Sequence, residues 1–154
     1  MSELQLVNDR LSALINNLSP SARKEMARNI AKKLRASQQQ NIKRQQAPDG
    51  TPFKPRKTQP VRGKKCRVKR EMFAKLRTVK YMKAQGLSDE AVIEFTGRVQ
   101  RMARVHHYGL RDRPSRNGKE VQYVSRPLLG FGESDLQLIE YDVIAHLSRS
   151  KARV

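Results

Sequence analysis

Between residues 51 and 70 this chain cannot form a regular element. Pro52, Pro55, Pro60 and Gly63 interrupt the segment, no apolar periodicity runs through it, and it carries nine Lys or Arg. Proline removes backbone donors from helices and ladders, and like charges at this density hold a chain open. The segment reads as an extended basic arm or long loop, so any fold must be built from what flanks it. The arm sits inside a wider segregation of charge. Of the net +19, +13 falls in residues 43–83, where 15 Lys and Arg face only Asp49 and Glu71. Residues 1–42 carry +4 and residues 84–154 carry +2. Such a segment either meets something negative or is a solvated loop.

The flanks supply the structure. Leu4, Val7, Leu11, Leu14, Ile15 and Leu18 recur at helical spacing and predict an amphipathic helix of about four turns. Ser19 and Pro20 form an N-cap and first helical position for a second helix. Its narrow stripe is Ala22, Met26, Ile30, Leu34 and Ile42, and it stops by Ala47-Pro48-Asp49-Gly50. Met72, Phe73 and Leu76 suggest a short helix, and Val79, Tyr81 and Leu87 the beginning of a strand. Ala91-Val92-Ile93-Glu94-Phe95 is the clearest strand. A helix through Val99, Met102, Ala103, Val105 and His106 follows, with Gly109 at its C-cap. Residues 111–119 read as a polar loop and residues 121–124 as another strand. Ser134 with Gln137 makes a capping box for a last helix, whose apolar face is Leu136, Ile139, Val143, Ile144 and Leu147. The expectation is an α+β fold, a small antiparallel sheet packed with N- and C-terminal helices, with a long basic Pro-rich arm. At 154 residues it is expected to be a single domain.

Catalytic chemistry finds little support. Cys66 is the one cysteine, so no intrachain disulfide and no multi-cysteine zinc site can form. His106 and His107 are adjacent, which on a helix points them about 100° apart and away from a shared metal. Asp135, Glu140 and Asp142 are read as partners of a helix dipole. Ser19 and Ser125 lack a base, and no glycine loop would cradle a phosphate. No catalytic residue, cofactor or metal is expected. No apolar run reaches the ~18–20 residues that span a bilayer. The first residues lack a secretory pattern, so membrane association is not expected and a reducing cytoplasm is. Nucleic acid is the stronger rival. The arm could neutralise phosphates, but Phe53 is its one aromatic, and no reading motif appears.

Four ordered stretches carry a family likeness. The first runs from Gln38-Gln39-Gln40 and Ile42 to Gln45-Gln46-Ala47-Pro48-Asp49-Gly50-Thr51-Pro52-Phe53. The second is Met72-Phe73-Ala74-Lys75-Leu76-Arg77. The third is Phe95-Thr96-Gly97-Arg98-Val99 continuing through Ala103-Arg104-Val105-His106-His107-Tyr108-Gly109. The fourth is Arg126-Pro127-Leu128-Leu129-Gly130-Phe131. In this order and spacing they closely resemble the tail completion proteins of contractile-tailed temperate phages, within the phage virion morphogenesis family.

The resemblance covers essentially the whole chain. It implies a structural virion protein that completes the head-proximal end of the tail, at the tail–neck junction, and enables head–tail joining. It implies assembly in the host cytoplasm, a homo-oligomeric and commonly hexameric ring, and contacts with tail tube, sheath or neck and connector proteins. Contact with DNA in the channel is a secondary expectation. The alternative is a cytoplasmic nonspecific nucleic-acid-binding protein. Partner-binding candidates are Lys54, Arg56, Lys57, Lys64 and Lys65 on the arm, and Arg98, Arg101 and Arg104 on the third long helix. Arg126, Leu128 and Leu129 complete the set, at a rigid turn. The three helix arginines pair with a neighbouring subunit's acids or form a solvated face.

Overall fold

The computed structural model describes residues 2–56 and 71–152, with side chains through residue 149. Arm residues Lys57, Lys64, Lys65 and Cys66 therefore lie outside the described residues. The described elements are helices α1 (Glu3–Asn16), α2 (Pro20–Lys43), α3 (Gly97–Tyr108) and α4 (Glu133–Ala152), and strands β1 (Met82–Gly86), β2 (Ala91–Phe95), β3 (Arg111–Asp112) and β4 (Val121–Gln122). The strands form two antiparallel pairs, β1 with β2 and β3 with β4. The fold is α+β.

Two compact units are distinguishable, residues 1–35, 84–94 and 133–154 in one and residues 36–83 and 95–132 in the other. In the first, Met26, Ile30 and Leu34 of α2 follow one another at helical spacing and bury against Val143 of α4. Leu11, Ile15, Leu18, Ile93, Leu138, Ile139 and Leu147 close over them. Burial of Met26, Ile30, Leu34 and Val143 contributes about 1.5–3 kcal/mol each, and the partly buried side chains less. Ser2 caps α1, its Oγ accepting from Gln5 N at 3.3 Å, and Ser19 caps α2, accepting from Ala22 N at 3.1 Å. Gly86 is held by close approach. A Cβ there would stand 2.2 Å from the backbone nitrogen of Arg28, so only glycine lets the hairpin reach α2.

A polar strip lies beside that apolar contact. Asn29 and Lys33, four residues apart on α2, meet His146 and Asp142, four apart on α4. Lys33 Nζ donates to Asp142 Oδ1 at 2.5 Å, and Asn29 Nδ2 lies 3.1 Å from His146 Nε2. His146 Nδ1 sits 2.9 Å from the Asp142 carbonyl, so a neutral ring donates there and accepts from Asn29. The dipole reading of Asp142 is corrected. It stands in mid-helix, 2% exposed, and is held by Lys33. Asp135 does lie in the first turn. Ser134 lies inside α4, which starts one residue earlier at Glu133, so the expected capping box is displaced.

The second unit is organised by turns. α2 ends where Gln45 takes φ +57°, with Gln46 N donating to Asn41 O at 3.0 Å, a Schellman closure with glutamine in the place glycine usually takes. A tight turn follows. Ala47 N donates to Thr51 O at 2.8 Å, and Phe53 N to Gln45 O at 2.8 Å. The expected short helix at Met72–Leu76 is absent. Phe73 adopts φ +62°, which breaks a right-handed helix, and residues 72–77 form successive turns instead. β2 and α3 match their sequence patterns, and Gly109 closes α3 in the left-handed conformation at φ +69°. The polar loop at 111–119 opens with β3, and the strand predicted over 121–124 is shortened to β4.

Candidate interaction site

Three glutamines in the second unit act as backbone surrogates. Gln38, 2% exposed, donates through Nε2 to Gly130 O at 2.9 Å and accepts from Gly130 N at 3.2 Å. Gln45 makes the same two-way pairing with Met72, 2.9 Å to its carbonyl and 3.0 Å from its N–H. That pairing offsets the cost of its left-handed backbone. Gln39 Nε2 donates to Arg77 O at 2.8 Å. A side-chain amide holds N–H donors and a carbonyl acceptor side by side in one plane, so it can pair with both groups of a peptide unit. It can therefore complete the hydrogen bonding of a segment that no strand accompanies.

The last turn of α3 fixes residues 125–128. Arg126 N donates to His106 O at 2.8 Å and Leu128 N to His107 Nδ1 at 3.0 Å. Ser125 Oγ donates to His107 O at 2.9 Å. Accepting from Leu128 leaves His107 neutral with its proton on Nε2, and burial pushes its pKa down. His106 completes a chain of rings, Phe53 to Phe73 at 5.7 Å, Phe73 to His106 at 5.2 Å and His106 to Tyr123 at 4.8 Å, all edge-on. Its pKa is lowered by burial and by Arg126, against a smaller upward push from Asp112. The three histidines are thus packing and hydrogen-bonding groups. Among the described residues no cluster of three or more His, Cys, Asp or Glu could hold a metal. No described helix is long and apolar enough to cross a membrane.

The candidate residues fall into different surroundings. Arg126 is 9% exposed. Its Nε donates to Lys54 O at 2.8 Å and its Nη2 to Pro55 O at 3.1 Å, so it anchors the root of the arm. Leu128 is 1% exposed and Leu129 half-buried, which leaves little of this turn on the surface. Lys54 and Arg56 are exposed where the arm begins. Arg98, Arg101 and Arg104 are exposed on α3, but they do not act as one row. Arg101 Nη2 bonds Asp112 Oδ1 of the same chain at 2.9 Å. Arg98 and Arg101 line a cleft that Arg104 does not reach, together with Arg111, Arg113 and Arg116. Those last three escaped sequence reading. The run Arg111-Asp112-Arg113-Pro114-Ser115-Arg116 was the available signal, dense in arginine but without periodicity.

These hydrogen bonds join all four stretches that carry the family likeness. Gln38 and Gln45 of the first reach Gly130 of the fourth and Met72 of the second, while His107 of the third receives Leu128 of the fourth. The phage virion morphogenesis family model matches residues 2–148. The chain belongs to that family. Tail completion protein S of Escherichia phage P2 is 45% identical to it over 150 residues, covering 97% of this chain and all of the relative. No solved structure matches it significantly. Each of the four stretches supplies one partner of a bond that folds the second unit.

Proposed function

We propose that this protein completes the head-proximal end of a phage tail as a homo-oligomeric ring and makes it competent for head–tail joining. The observation that carries the ring is α1. Fourteen residues long and amphipathic, it half-buries Leu11 and Ile15 against the core but leaves Leu4 71%, Leu6 49% and Val7 49% exposed. On α4 of the same unit Leu136 is 57% and Ile144 48% exposed. Apolar faces of this extent suit a protein contact. The unit that bears them has ten bases and ten acids in its sequence, so copies meeting there do not repel. Two different helix faces suit a heterologous contact, which closes into a ring when its rotation permits. A hexamer is the stoichiometry proposed. The similarity to a tail completion protein supports the role.

The role is structural rather than enzymatic, exercised in the virion after assembly in the host cytoplasm. The neighbours proposed are tail tube, sheath or neck and connector proteins. The arm residues Lys54, Arg56, Lys57, Lys64 and Lys65 are assigned to such a contact. Replacing these five by Ser is expected to leave a folded protein that fails in head–tail joining, and unchanged infectivity would remove the arm from the account. For the role itself, deletion is expected to give filled heads and unjoined tails, and the purified protein a single oligomer of defined size. The nonspecific nucleic-acid-binding reading predicts a monomer and no assembly defect.

A further inference from the structure

The two units share the charge unequally. Against the ten bases and ten acids of the first, the second unit's sequence holds 23 bases and four acids, so it carries the whole net +19. Within it, Arg98, Arg101, Arg111, Arg113 and Arg116 gather around one cleft of about 610 Å³, between α3 and the β3–β4 hairpin. Two acids share the cleft. Asp112 Oδ1 already accepts from Arg101 Nη2 and from Arg113 N, each at 2.9 Å, which leaves Glu120 as the other. Arg111 Nε is held by Gln122 Oε1 at 3.1 Å. Arg98, Arg113 and Arg116 are exposed and form no ion pair among the described residues. Those three cations add no ion pair to the described fold. Arg98 stands in the first turn of α3, where the helix dipole disfavours a cation.

We propose that this cleft grips the phosphate backbone of a nucleic-acid duplex. The bases lining it are all arginine, and the planar guanidinium fork binds phosphate oxygens in pairs where an ammonium offers a point charge. The lining contains no aromatic ring, so it offers no platform on which unpaired bases could stack. Its apolar side chains are Met102 and Pro114 alone, too few to anchor an acidic protein segment, whose affinity would rest on buried apolar contacts. A duplex presents a charge about every 1.7 Å along its axis. A positive field over an entire unit matches such a polymer better than a local acidic patch. The grip is sequence-independent, and it belongs to each protomer whether or not a ring forms.

The test is the salt dependence of binding by the full-length protein to 30-base-pair DNA and RNA duplexes, read by fluorescence anisotropy. Each phosphate contact contributes a slope of about 0.9 in log K against log salt. The variant R98A/R113A/R116A is expected to lower the slope by about 2–3. The parent would then lose about 40-fold more affinity than the variant between 50 and 200 mM salt. A variant removing three exposed charges from the first unit, K24A/R28A/K32A, is expected to keep the parent slope. R98K/R113K/R116K is expected to keep it too, with weaker binding. Circular dichroism confirms that each variant is folded, and mass photometry reads assembly separately, so failure of the ring does not mimic failure here. Whichever duplex binds more tightly is the natural source of the phosphates. The proposal is overturned if the cleft variant and the first-unit variant change the slope equally. It is also overturned if the cleft variant binds duplex normally but loses binding to polyglutamate, which would give the cleft to an acidic protein.

Discussion

Gln38→Met should destabilise this protein by about 2–3 kcal/mol, and the reason can be counted. Gln38 is 2% exposed, and its amide exchanges two bonds with Gly130, 2.9 Å to the carbonyl and 3.2 Å from the N–H. Methionine has nearly the same length and volume, so no sizeable cavity opens, but it offers neither donor nor acceptor. Two intramolecular hydrogen bonds are worth about 1–3 kcal/mol net, and leaving the half-buried Gly130 groups short of partners pushes the cost to the upper part of that range. For a chain of this size each kcal/mol moves the melting temperature by about 2–4 °C, so a drop of about 4–12 °C is expected. In urea the midpoint should fall with the slope unchanged, because the exposed area on unfolding is the same. Gln38→Glu adds a sharper contrast. At neutral pH a carboxylate keeps the bond from Gly130 N but faces the Gly130 carbonyl without a donor, so it should be less stable than the Met variant. In acid, protonation restores a donor and the order should reverse. A Met variant within about 0.5 kcal/mol of the parent would refute the view that Gln38 completes backbone hydrogen bonding.

Three further outcomes follow from the same geometry. Gly86→Ala places a methyl 2.2 Å from Arg28 N, against backbone that cannot swing aside, and should cost about 1–3 kcal/mol or more by chemical denaturation. Lys33→Ala strands the buried Asp142 carboxylate, but the lysine side chain is 53% exposed and its pull is screened by water. A loss of about 1–2 kcal/mol is therefore expected, with Lys33→Arg close to the parent. His106 and His107 have folded-state pKa values below their ordinary 6.5. The unfolded chain therefore binds more protons between those values and 6.5, and stability, full above about pH 6.5, should fall as pH drops below it. His107→Asn, which keeps an acceptor for Leu128 N–H, together with His106→Phe should flatten that dependence in melting curves from pH 5 to 8.

Much of the local structure was legible because local rules decided it. Ser19-Pro20 starts α2, and Gly109 closes α3. The β-branched and aromatic run at 91–95 is β2 without adjustment. What was not legible depended on partners far along the chain. Phe73 carries a good helical pattern with Met72 and Leu76, yet ring contacts with Phe53 and His106 accompany its left-handed backbone. Asp142 looked like a dipole residue because nothing local reveals Lys33, 109 positions away. The arginine cleft was half visible. Periodicity drew attention to Arg98, Arg101 and Arg104, but the β3–β4 hairpin brings in Arg111, Arg113 and Arg116 and passes over Arg104. Arg126 and Leu128, read as a docking point, are buried and donate hydrogen bonds to the arm root and to α3.

The central claim, a ring that completes the tail and readies it for the head, has one direct measurement. An electron-microscopy reconstruction of whole virions, with this protein located by a fused tag, is predicted to show closed-ring density at the junction of tail and neck. Density at the baseplate or inside the capsid, or monomers scattered without rotational symmetry, would contradict it.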